Sequence, residues 1–203
     1  MIVTISREFG SGGRVIGEKV ANLLGYRFYD NELIQKICKE NGLDFEYVTE
    51  QSEYAGNKFF FHVLNEPAFV SAGGANLPLQ DRIFIECNKI VKRIAKEENA
   101  VIVGRSADAI LEEEEDVLNV FIHADAAHKI DRVLSLGVPE KDALKTMRRR
   151  DKMRANFHKY YTGKVWGDYH NYTLSVDSGA LGYDAAADII VAATLAFLKR
   201  KGK

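Results

Sequence analysis

Short apolar runs alternate along this chain with longer segments of helical period. Ile2-Val-Thr-Ile5 reads as a buried strand and stops at the cluster Gly10-Ser-Gly-Gly13. From Arg14 to Leu24, apolar residues recur at Ile16, Val20, Leu23 and Leu24, the spacing of one helix face, with Gly25 as its stop. Tyr26-Arg-Phe-Tyr29 predicts a second strand, and residues Asn31 to Asn41 a helix closed by Gly42. A helix is predicted from Leu79 to Glu98 on the stripe Ile83, Cys87, Ile90, Val91 and Ile94. Ala100-Val-Ile-Val-Gly104 is apolar throughout, as a central parallel strand requires. A short helix at Ser106–Leu111, a strand at Val117–Ile122 and a helix at Ala126–Leu136 follow, before Gly137-Val-Pro139 breaks the pattern. Thr173–Val176 predicts a last strand and Ala185–Leu198 a closing helix. Strands separated by helices predict a parallel sheet covered on both faces, with ligands at the carboxyl ends of its strands. The stretch 44–78 fits neither period and reads as an insertion carrying short helices; its Phe59-Phe-Phe61 run reads as part of the insertion's own core.

Composition narrows the classes. With 203 residues, 46% hydrophobic and 28% charged, the chain suits one soluble domain with an insertion. No apolar run approaches the roughly 20 residues of a spanning helix, so no membrane partner is expected. Two cysteines, Cys38 and Cys87, make no disulfide framework or zinc spacing, and the first residues lack an export signal. A reduced, cytoplasmic protein is the expectation.

The net charge of −1 hides an uneven distribution. Eight basic residues and one acid lie between Lys145 and Lys164, and four more basic residues end the chain from Lys199. What remains carries about −12. An acidic body of this kind argues against long nucleic acids, whereas a concentrated basic arm suits a compact anionic ligand.

The candidate chemistry starts at the glycine cluster. A glycine-rich turn between strand and helix lets backbone amides approach an anion, and the helix start adds partial positive charge. The usual phosphate loop is G-x-x-x-x-G-K-[ST]. With Gly12 as the last glycine, Gly13 stands for the lysine and Arg14 for the hydroxyl residue. Shifted by one, Val15 takes the hydroxyl position. Neither register keeps both side chains; Arg14 supplies charge, and Ser6 and Ser11 remain the candidates to reach a metal.

Together with this loop, Gly25-Tyr-Arg-Phe-Tyr-Asp30, Val101-Ile-Val-Gly-Arg105, Val120-Phe-Ile-His-Ala124 and Arg150-Asp-Lys-Met-Arg154 form an ordered set. In order and spacing it resembles the cytidylate kinase-like group of phosphate-loop nucleoside monophosphate kinases, over roughly Ile2 to Ala196. Tyr160 to Asp168 with Asn171-Tyr-Thr-Leu174 resembles that group's less-studied branch rather than the true cytidylate kinases. The resemblance implies a P-loop NTPase-type three-layer α/β fold with strand order 2-3-1-4-5, forming one kinase-like domain over 1–203. It also implies a substrate-binding insertion at 44–78 and a mobile basic lid at 140–168. Its implied activity is ATP-dependent transfer to a small nucleotide such as CMP or dCMP, with ATP and Mg2+. Gly10, Ser11, Gly12, Gly13, Arg14 and Val15 would bind the donor phosphates. Arg14, Arg150 and Arg154 would serve catalysis, and Asp30, Arg105 and Asp108 the acceptor. The metal ligands stay open. The sequence departs from the family pattern at Asn31-Glu32 after Asp30 and at Val103 before Gly104. Another small-metabolite kinase, or a nucleotide-binding regulator that has lost turnover, therefore stand as alternatives. The tempting His123, the turn Glu112–Asp116 and the basic tail read as structural or solvated. Tyr160, Tyr161 and Trp166 read as packing beside the lid.

Overall fold

A computed structural model describes residues 1–30, 35, 39 and 79–202. The chain divides into two compact units, 1–30 with 91–203, and 31–90. Gln35 and Lys39 are helical, but the rest of the anticipated 31–41 helix, Cys38 and the 44–78 insertion lie outside the described residues.

The elements of the first unit begin with β1 (Ile2–Arg7), α1 (Gly13–Leu24) and β2 (Arg27–Tyr29). Helix α2 (Leu79–Glu97), whose residues up to Ile90 belong to the second unit, precedes β3 (Ala100–Val103), α3 (Ala107–Ile110), β4 (Val117–His123), α4 (Ala126–Ser135) and α5 (Glu140–Thr162). A 3-10 turn at Tyr169–Asn171, β5 (Leu174–Asp177), α6 (Ser178–Leu181) and α7 (Tyr183–Arg200) complete them. The five strands pair in parallel in the order β2-β3-β1-β4-β5, as anticipated.

One face of the sheet carries Val3, Ile5, Val101, Val103, Leu118, Val120, Ile122 and Val176. It packs with Ile16, Val20 and Ala21 of α1 and Ala186, Ala187 and Ile190 of α7. Each fully buried Val or Ile contributes about 1.5–3 kcal/mol of transfer free energy, so this layer fixes where β1 and β3 end. The opposite face is partly polar. Thr4 Oγ1 donates to Asn119 Oδ1 at 2.6 Å, directly across the β1–β4 register. Phe121 meets Trp166 edge-on at 5.3 Å and Tyr172 at 5.0 Å. Trp166 therefore pins the segment after α5 to β4.

Two elements extend beyond the sequence expectation. All of the basic arm but Lys164 lies inside one continuous 23-residue helix, α5, of which only Ala143, Met147 and His158 are buried. A short helix, α6, precedes α7 and is capped by Asp177 Oδ1, which accepts from the Gly179 and Ala180 amides. Among the described residues, no helix is long and apolar enough to cross a membrane.

Candidate phosphate site

β1 and β3 are central strands, and the turns leaving them lie side by side at the carboxyl edge of the sheet. The turn after β1 passes through Gly10 (φ +92°) and Gly12 (φ +74°), a backbone reserved for glycine. Space is as limiting as torsion here. A Cβ on Gly10 would stand 2.8 Å from the Lys129 carbonyl oxygen, and one on Gly12 would strike the Tyr183 ring. Helix α1 starts at Gly13, and its first bond runs from the Ile16 amide to the Gly12 carbonyl. The amides of Gly13, Arg14 and Val15 therefore precede the helical ladder and face outward at its positive end.

The rest of the turn is tied into the fold. Ser11 is buried; its hydroxyl donates to the Glu8 and Ile122 carbonyls, and its own carbonyl accepts from the Ser178 hydroxyl. The Ser11 side chain thus braces the loop instead of facing a ligand. Glu8 Oε2 accepts from Lys129 Nζ at 2.9 Å and from the Ala124 amide. Helix α5 docks on the same turn: the Phe9 amide donates to Asp151 Oδ1 at 2.6 Å, and Arg154 Nη1 donates to the Arg7 carbonyl at 2.9 Å. The Arg150 and Arg154 guanidinium carbons each lie 5.6 Å from the centre of the Phe9 ring.

Arg7, the last residue of β1, stands in the middle of this arrangement. Its Nη2 is 3.9 Å from Asp30 Oδ1, while Arg14 Nε reaches Asp30 Oδ2 at 3.1 Å. Burial, and after it the Arg154 cation, pull the Arg7 guanidinium down to about 9; Asp30 opposes this and Arg105 adds to it. Arg154 is likewise lowered by burial, with Arg150 and Arg105 contributing and Asp151 and Asp30 opposing. Cations crowd here beyond what the two aspartates offset. Such a centre is stabilised by an added anion.

The turn after β3 carries Arg105. Gly104 (φ +81°), Arg105 (φ +60°) and Ser106 (φ +52°) are three consecutive left-handed residues, two of them with side chains. This conformation leaves Arg105 beside Arg7 and Arg154 and directs Asp108 inward. Asp108 is 5% exposed; Ser6 Oγ donates to its Oδ1 at 3.5 Å, and His158 Nε2 lies 3.7 Å from its Oδ2. His158 Nδ1 in turn lies 3.2 Å from Ser106 Oγ. Burial raises the Asp108 carboxyl against the pull of His158 and lowers His158 against the pull of Asp108. Burial, with the Asp108 carboxylate behind it, pushes the Tyr172 hydroxyl up to about 12.

Of the residues singled out from the sequence, Gly13, Arg14, Asp30, Arg105, Arg150 and Arg154 lie about Arg7 and Phe9, Gly10, Gly12 and Val15 belong to the adjoining turn, and Ser11 and Asp108 turn into the protein. Sequence reasoning missed Arg7, Phe9 and Asp151. The available signal for Arg7 was a lone cation ending an apolar central strand, where α/β sheets place their ligands. Among the described residues, no group of three His, Cys, Asp or Glu side chains could hold a metal ion. Arg14 or Val15 stands at the loop's hydroxyl position, and Asp30, Asp151 and Glu8 are engaged by Arg14, the Phe9 amide and Lys129. This donor set does not fit a magnesium ion held by the loop itself.

Three comparisons place the chain. A solved structure of an uncharacterized protein from Eubacterium ventriosum is 28% identical, with a TM-score of 0.72 over 96% of this chain and 98% of that one. A shikimate kinase from Acinetobacter baumannii in complex with shikimate gives 14% identity and a TM-score of 0.53, covering 100% of this chain and 95% of that one. A deoxyadenosine kinase from M. mycoides with dCMP and dCDP bound gives 14% and 0.52, covering 97% and 100%. The two kinases show the shared fold alone. A comparison with curated protein sequences finds no match. The model of the cytidylate kinase-like family matches residues 2–180, most of the length, and the chain belongs to that family.

Proposed function

We propose that this protein transfers the γ-phosphoryl group of ATP to a small phosphorylated acceptor, a nucleoside monophosphate of the CMP or dCMP type. The observation that carries the reading is a cluster of cations at the turn that opens α1: Arg7 runs against Gly13, and the Arg154 and Arg105 charges lie close enough to Arg7 to lower its pKa. Membership of a kinase-like family supports the reaction class.

Phosphoryl transfer needs alignment and charge neutralisation more than covalent help. On this reading the amides of Gly12 to Val15 hold the donor phosphates. Arg105, planar and bidentate, grips the acceptor phosphate, with Asp30 at the acceptor's nucleoside side. Arg150 and Arg154 on α5 neutralise the transferring group. Arg14, 66% exposed and paired with Asp30, flanks the donor. The domain plan goes with it: one phosphate-loop domain in the cytoplasm, a substrate-binding segment at 44–78 and the basic region 140–168 beside the donor.

A second reading has its own observation. Gly13 and Arg14 occupy the places of the lysine and hydroxyl, which favours a nucleotide-binding regulator without turnover. A thermal-shift panel of nucleotides followed by coupled ADP release across acceptors separates the two. Stabilisation by ATP and CMP with ADP release supports the kinase. Stabilisation by ATP without release to any acceptor supports the regulator. Absence of any nucleotide effect sinks both.

A further inference from the structure

Resting on the phosphate-site reading above, we infer that Arg7 supplies, from the end of β1, the donor-phosphate cation that a phosphate loop ordinarily supplies from the first turn of its helix. The loop thus exchanges a side chain at position 13 for one at position 7.

Gly13 has no torsional reason to be glycine. It opens α1 and is absent from the positive-φ residues that include Gly10 and Gly12. Where its torsions are ordinary, glycine is a poorer helix residue than alanine, so its presence here calls for a spatial cause. That cause is Arg7. A Cβ on Gly13 would stand 2.6 Å from both Cβ and Cγ of Arg7, too close for the two side chains to coexist. In the register with Gly12 as the last glycine, Gly13 is where the motif G-x-x-x-x-G-K-[ST] places its lysine, and Arg7 is where it places its first glycine. The side chain missing at one position is present at the other, and it runs through the same space.

Its far end is accommodated in the same way. A Cβ on Gly104 would strike Arg7 Nη1 and stand 3.2 Å from Cζ. Arg7 therefore lies in a trough floored by two glycines, Gly13 under its stem and Gly104 under its head. Asp30 steadies the guanidinium at 3.9 Å without a close bidentate pair. The surrounding cations, Arg105 and Arg154, leave the head electrostatically short of negative charge, which donor phosphates would supply.

The exchange is tested first without ligand. Gly13→Ala should lower the melting temperature of the native chain, because the new methyl meets Arg7. In an Arg7→Gly background the same change should raise it, because alanine is the better helix residue. Loss of that sign reversal overturns the steric claim. Binding of ATP and of inorganic tripolyphosphate is then measured by calorimetry. Arg7→Gln should weaken both by about 10- to 100-fold, the loss of a charge-assisted contact. The double variant Arg7→Gly with Gly13→Lys should regain most of that loss, while Gly13→Lys alone should not bind. If Arg7→Gln binds ATP as tightly as the native protein, the Arg7 inference falls and the nucleotide reading stands. If the native protein binds neither probe, both fall.

Discussion

The turn leaving β1 reverses through Gly10 and Gly12, whereas the turn leaving β3 uses Gly104 and then keeps side chains at Arg105 and Ser106, all with positive φ. Both turns sit at the carboxyl edge of neighbouring strands and feed the same cluster of cations. On the proposed function the backbone is the working part of the first turn: its amides need clearance, and glycine removes both strain and bulk. In the second the side chains would be the working part, and the strain is retained. A left-handed non-glycine residue costs about 1–2 kcal/mol. Two in succession persist only where the surroundings over-determine them. Here the Ala107 amide bonds the Gly104 carbonyl, the Ala109 and Ile110 amides bond the Ser106 carbonyl, and His158 meets the Ser106 hydroxyl from α5. On the proposed function, the strain at the β3 turn serves to aim the Arg105 side chain at the acceptor phosphate.

The contrast can be broken most sharply at Arg105. Arg105→Ala should lower kcat/KM for the acceptor by about 10²–10³-fold, a typical loss for one transition-state donor, with ATP affinity changed far less. Equal loss of both would place Arg105 at the donor instead. Next in size is Gly10→Ala, expected to cost about 2–4 kcal/mol in urea denaturation, because torsion and the Lys129 carbonyl act together. A cost near that of Gly25→Ala, where a Cβ meets nothing within 4 Å, would show that the first turn yields. At the β3 turn, Ser106→Gly should be about 1 kcal/mol more stable than Ser106→Ala. Both lose the hydroxyl, and only alanine keeps the torsional strain. Equal stabilities would remove the strain argument.

The smallest effect is on pH dependence. Burial lowers the folded-state pKa of His158, Lys164 lowers it further, and Asp108 pulls it back. Below the ordinary value of 6.5 the unfolded chain binds a proton that the folded chain resists. His158 therefore makes stability fall as pH drops from 6.5 toward its folded pKa, by at most about 1.4 kcal/mol per pH unit. Asp108, raised by burial, acts oppositely: its folded form takes a proton first, so its contribution grows as pH falls toward the ordinary carboxylate range. Urea midpoints at pH 7.5 and 5.5 should therefore converge in His158→Asn relative to the native chain; an unchanged difference would show that His158 titrates normally.

Most of the sheet was legible because parallel strands buried on both faces read as apolar runs, unbroken at Ala100–Val103 and interrupted only by Asn119 at Val117–Ile122. The strand order came through the family resemblance, since no local pattern encodes which strands neighbour each other. Helix α5 was legible in charge but not in length: with three buried residues in 23, it has almost no apolar stripe to count. At the site, Arg105 and the glycines could be read from their places after strands. Asp108 could not, because nothing in Gly-Arg-Ser announces two non-glycine left-handed residues that rotate the next helix inward. Arg7 escaped notice for a related reason. Its importance lies in the emptiness of Gly13 and Gly104, which are 6 and 97 positions away and adjacent only in the fold.

The bond from the Phe9 amide to Asp151 has one more consequence. It places an exchangeable backbone amide proton at the junction between the phosphate loop and α5. Exchange of that proton with solvent requires the helix to lift from the loop, so its deuterium uptake is a clock for undocking. Because Arg154 holds the Arg7 carbonyl two residues earlier, the loop and the basic helix can separate only by breaking both bonds. Any opening of this end of the molecule is written into the exchange rate of one amide.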